Sequence, residues 1–160
     1  MGNHEIYAES EKYTEREAAK RGIRFLRNEA VQLHFGDSAL NLAGVDYQRK
    51  VRPYLQGAEG LVAPHALNIL LSHNPDVFPV AEQKGFDFTI SGHTHGGQVT
   101  VEFLNPLLNP ARYFTPYIYG LYERGKSKLW VTSGIGTIGL PARLGAPAEV
   151  VLLKLCAISS

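Results

Sequence analysis

The chain has 160 residues, enough for one domain with a real core and too few to expect two. Hydrophobic residues make up 44% and charged residues 19%, which excludes an intrinsically disordered polypeptide. Sixteen Lys and Arg against 15 Asp and Glu leave a formal charge of +1 and no basic stripe, so nucleic acid is not an expected partner. The opening MGNHEIYAES lacks the basic and apolar regions of a signal peptide, and Ile6 stands where myristoylation wants Ser or Thr. Residues 10–28 predict a helix, with Ala18, Ala19, Ile23, Phe25 and Leu26 on its apolar side. AVQLHF and ALNLAGV alternate around a GDS turn and predict a hairpin. LNILLSH is a continuous apolar run, as in a strand buried on both faces, and Pro75 then opens a short helix over residues 76–84 that Gly85 closes. FDFTIS, QVTVEF, KLWVTS and EVVLLKL predict further strands, with a loop rich in aromatics and proline between the second and third of them. That loop's Tyr113, Phe114, Tyr117 and Tyr119 are expected to fill the core rather than line a pocket. The order predicts a mixed α/β layered sandwich. The lone Cys156 has no internal disulfide partner and is expected to be buried in VVLLKLC. No apolar run reaches the roughly 18 residues of a membrane span, so a cytoplasmic or membrane-peripheral location is expected.

Three of the six histidines sit at the ends of presumed strands: His73 after LNILL, and His93 with His95 after FDFTIS. In an extended segment residues two apart share a side, so His93 and His95 are expected to present both imidazoles to one point. Gly92, Gly96 and Gly97 clear the space around them, and imidazole suits Zn, Fe and similar ions. His34 and His65 are expected in structural or solvent roles. His4 differs because GNHE sets an amide, an imidazole and a carboxylate side by side.

Gly2-Asn3-His4-Glu5, Ser72-His73 and Gly92-His93-Thr94-His95, in that order, resemble blocks of the calcineurin-like metallophosphoesterase family. The tail VTSGIGTIGLPARLGAPAEVVLLKL is similar to that of its bacterial membrane-associated branch. The resemblance implies a four-layer α-β-β-α sandwich with mixed sheets. It also implies hydrolysis of a phosphomonoester, phosphodiester or pyrophosphate at two divalent ions drawn from Mn, Fe, Zn or Mg. Asn3, His73 and His93 would ligate one ion and His95 the other. His4 would touch the phosphate or protonate the leaving oxygen, with Glu5 orienting it.

The family's D-x-H and G-D-x-x-D blocks have no counterpart here; Gly36-Asp37 falls after GNHE and reads as a hairpin turn. Residues 1–160 are therefore expected to form a single, N-terminally truncated domain that carries part of the binuclear centre. At most one weakly bound Zn is expected in this chain alone, and little or no activity. The missing strands would leave apolar faces uncovered, so a separate N-terminal half or self-association is expected, and any anchor would lie in the missing part. The competing reading is a non-catalytic Zn-binding or protein-interaction module built on the same fold.

Overall fold

A computed structural model describes residues 1–49, 53–101 and 108–156. Two short helices, α1 (Asn3–Tyr7) and α2 (Glu11–Ala19), precede β1 (Glu29–Phe35) and β2 (Ser38–Gly44). There follow β3 (Leu67–Leu71), α3 (Phe78–Lys84), β4 (Phe88–Ser91), β5 (Gly120–Arg124) and β6 (Ser127–Val131). The six strands form one mixed sheet in the order β1-β2-β3-β4-β6-β5. Its centre, β2 through β3 and β4 to β6, is parallel, and an antiparallel hairpin closes each edge. This is the mixed α/β class expected from the sequence, consistent with a metallophosphoesterase fold.

The β1–β2 hairpin forms as predicted, with Phe35 opposite Ser38 across Gly36-Asp37. The first helix is shorter than its pattern suggests. Gly22, at φ +73°, lets Ile23 N–H reach Ala18 O and Gly22 N–H reach Ala19 O, which is a Schellman ending. The α2 helix buries no residue; its surface is held instead by Glu17 bridging Lys20 and Arg21. The helix predicted after Pro75 is present, as a 3-10 turn at Pro75–Val77 running into α3 with Gly85 at its left-handed end.

One face of the sheet carries the core. Ala43, Leu70, Val77, Ala81, Phe86 and Leu55 are buried together, and Phe78 packs with Leu129, Val131, Tyr117 and Tyr122 beside them. β2 and β3 are also joined by a buried amide pair. Asn41 Nδ2 donates to Asn68 Oδ1 at 2.8 Å, and Asn68 closes the preceding loop through Ala63 and Ala66.

Three expectations fail. Residues 149–156 are not a strand: they pair with nothing regular, and Val150 and Leu152 face solvent. Alternation marks a segment with two unlike sides but does not supply the neighbour whose backbone it must bond. Cys156 is exposed rather than buried for the same reason. Val99 makes isolated bridges to Leu144 and Gly145; Gln98, Thr100 and Val101 form no strand, and residues 102–103 of QVTVEF lie outside the described residues. β5 went unread because its alternation follows directly on the proline-rich loop. Among the described residues no helix is long and apolar enough to cross a membrane.

Candidate functional site

The carboxyl ends of parallel strands are where open α/β sheets collect ligand-binding loops. Here β3 runs out into Ser72-His73, β4 into Gly92-His93, and β6 into residues 132–136. α1 brings Asn3 to the same end, with Gly2 as its N-cap. A side chain on Gly2 would sit 3.3 Å from the His73 ring and 2.8 Å from the Glu5 carboxylate, so the glycine of GNHE permits this close approach.

His73 Nε2 stands 2.8 Å from Asn3 Oδ1 and 3.0 Å from His93 Nδ1. The two imidazole rings meet edge to face at 4.7 Å. A single ring nitrogen thus meets both partners at hydrogen-bond distance, donating or accepting according to the tautomers of the two rings. With His73 Nε2 between them, Asn3 Oδ1 and His93 Nδ1 are the atoms that could join it in holding a cation. Donors bound at about 2.1 Å in neighbouring octahedral positions lie about 3.0 Å apart, close to the spacing seen here. The set fits one ion through two imidazoles and an amide. Among the described residues no three His, Cys, Asp or Glu side chains gather in this way, so a carboxylate bridge to a second ion is not part of it.

Burial pushes the His73 imidazole down to about 4, helped by the neighbouring His93. At neutral pH it is the uncharged base that ligation requires. Tyr47, on the segment leaving β2, packs against both rings, 6.0 Å from His73 and 5.5 Å from His93. Sequence reasoning missed Tyr47. Its position follows from the parallel pairing of β2 with β3, which brings both strand ends to the same side of the sheet.

His95 does not join this cluster. The expectation that His93 and His95 point to one place assumed an extended segment, but their φ angles are +72° and +52° and Gly96 follows at +63°. Such left-handed conformations in non-glycine residues are costly and collect at functional sites. The turn sends His95 Nδ1 toward Gly136 O at 3.2 Å. Arg143 fixes this arrangement, donating to the carbonyls of His95, Ala146, Ser133 and Gly136. Gly97, at φ +88°, packs so closely on buried Asn109 that a Cβ there would overlap its side chain.

His4 is exposed, and it lines a cavity of about 310 Å³ together with His93 and His95. The Glu5 carboxylate accepts Gly2 N–H at 3.1 Å, a capping contact at the start of α1. His34 and His65 are exposed and away from the cavity, in agreement with the solvent roles expected of them. The aromatic loop divides. Tyr117 packs on Phe78 as expected, whereas Tyr113 and Phe114 are 80% and 74% exposed, against the expectation of core packing.

Comparison with known proteins yields several relatives. An uncharacterized metallophosphoesterase of Campylobacter jejuni is 33% identical over 158 residues, spanning 97% of this chain and 41% of its own length. A phosphodiesterase of Escherichia coli, YaeI, is 35% identical over 88 residues, 54% of this chain and 32% of its own. A transmembrane protein with a metallophosphoesterase domain from Bos taurus is 31% identical over 170 residues, 96% of this chain and 37% of its own. Across the relatives the chain covers 32–56% of their length. No protein-family profile matches the chain, and no solved structure does.

Proposed function

We propose, on the premise that the chain matches the C-terminal part of the calcineurin-like metallophosphoesterase family, that it supplies the histidine-bearing part of a divalent-metal site for phosphoester hydrolysis. The observation that supports this reading is the convergence of Asn3 Oδ1, His73 Nε2 and His93 Nδ1. An ion held there would neutralise charge on the phosphoryl oxygens and make water a better nucleophile near neutral pH. His73 and His93, both following strand ends, provide the rigid part of the ligand set, and Tyr47 packs against both rings. His95, with Nδ1 held to Gly136 O, has Nε2 to offer to a second ion. His4, exposed on the cavity wall, is placed to hold a proton for the leaving oxygen. Residues 1–160 act as one domain in this reading, and the carboxylate ligands belong to polypeptide outside the set assembled here.

The absence of a carboxylate among the gathered donors favours a second reading, a Zn-binding module without turnover. Titration calorimetry with Zn2+ and Mn2+, paired with hydrolysis of bis-p-nitrophenyl phosphate, separates the two. The chain is expected to bind one Zn2+ weakly, and His73→Ala and His93→Ala should each lower that affinity by about tenfold or more. Turnover with Mn2+ that His95→Ala and His4→Ala reduce by about a hundredfold supports the enzyme. Zinc binding without turnover supports the metal-binding role that the two readings share. Absence of any metal binding overturns both.

A further inference from the structure

We propose that the cavity beside the histidines takes the hydrocarbon chain of an amphiphilic phosphoester, the phosphate lying against the imidazoles. This rests on the phosphoester reading above and adds the class of substrate to it. The cavity is lined at one set of positions by His4, His93 and His95, and elsewhere by Pro110, Ala111, Phe114 and Ile138. Among the described residues no Asp, Glu, Lys or Arg side chain lines it. A sugar or nucleobase would ask for several hydrogen-bonding groups on the walls. Thr94, Thr115 and Gln98 are the neutral polar side chains available. All three are already engaged: Gln98 holds Ile138 and Leu140, Thr115 bonds Asp76, and Thr94 donates to Ile118 O.

The surroundings extend the same chemistry. Two loops flank residues 96–101, tied to them by Asn109 with Gly96, by Thr100 with Leu108, and by Gln98 with Ile138 and Leu140. Both loops turn large apolar side chains to solvent: Leu108, Tyr113 and Phe114 on one, Ile135, Ile138 and Leu140 on the other. Scattered exposed apolar residues are ordinary, but Phe114 and Ile138 both line the cavity and stand exposed, giving its mouth an apolar rim. Its chemistry matches a ligand with an anionic head and an apolar tail. At about 310 Å³ the cavity is sized for part of a chain, with the rim to receive the remainder.

The test is calorimetric titration of the 160-residue protein with butyl, hexyl and octyl phosphate below their micellar concentrations, at fixed Mn2+. Affinity is expected to rise by about fourfold per added methylene, the gain of moving that group out of water. Phe114→Ser and Ile138→Ser, changes at exposed positions, should flatten this dependence, while Leu121→Ser on the distant edge strand should leave it intact. His93→Ala should weaken all three ligands by the same factor without changing the dependence on chain length. Equal affinity across the series, or a slope unmoved by both cavity variants, overturns the proposal while leaving the metal titration to judge the phosphoester reading. Chain-length dependence together with a silent His93→Ala overturns it from the other side, because the phosphate then does not meet the imidazoles.

Discussion

At the scale of single residues, the contacts most sensitive to solution conditions lie just behind the site. Arg27 forks onto Asp46 with three contacts of 2.8 to 3.1 Å, where the chain leaves β2 toward Tyr47. Burial raises the Asp46 carboxyl, but hydrogen bonding to Arg27 and the adjacent positive charge outweigh it and leave the group below its ordinary value. A carboxylate whose folded pKa is depressed adds stability above its unfolded pKa, and that stability fades as pH falls through the folded value. Asp46→Asn is therefore expected to cost about 1 kcal/mol at pH 7 and close to nothing at pH 2. Denaturant melts at the two pH values check this, and an equal loss at both would contradict it. Little of this scale was legible beforehand. His73 and His93 were candidates because they follow presumed strands, and Asn3 because GNHE resembles a family block. It could not give the direction of His95, which depends on two positive φ angles, nor the capping contact of Glu5, which depends on a helix only five residues long.

Elements were more readable than the contacts between them. Strands β1 to β4 and α3 follow from period and from the Pro75 and Gly85 signals, since those patterns report burial and backbone geometry directly. α2 stops early because one glycine offers a stable ending that outweighs weak helical preference beyond it. Residues 149–156 carry a strand-like pattern without a strand, since pairing is a property of the neighbour. The Asn41–Asn68 pair was silent in the sequence because an asparagine inside a strand looks like a solvent position. It is expected to matter considerably. Asn68→Ala leaves the Ala63 amide without its buried acceptor and Asn41 Nδ2 with Leu61 O alone, which should destabilise the protein by roughly 2–3 kcal/mol. Asn68→Asp should recover part of that loss in urea melts by restoring an acceptor. A loss below about 0.5 kcal/mol for the alanine variant would show the pair to be dispensable.

For the whole molecule, the two faces of the sheet are unequal. α3 and the residues before β3 cover one face, while the other presents apolar rows that follow the strand register. Leu33, Leu40 and Leu67 align across β1, β2 and β3, and Leu71, Ile90, Trp130 and Leu121 align from β3 to β5. Leu33, Phe35, Leu67 and Leu121 are exposed. Exposed apolar side chains along such rows promote association. The 160-residue protein is expected to sediment with a concentration-dependent mass, and Leu33→Glu with Phe35→Lys to reduce that dependence without lowering thermal stability. A single monomeric species at all concentrations would remove the basis for this expectation. The uncovered face was foreseen from the missing family blocks, whereas its register required the pairing of β2 with β3.

Asn3 and His73, which meet at 2.8 Å, are 70 residues apart along the chain. An ion gripping both would act as a clasp on a long loop, shrinking the freedom of the unfolded polypeptide as a cross-link does. Occupancy of the site would then be felt as rigidity in α1, so that protection of its amides from hydrogen exchange becomes a gauge of how much metal is bound.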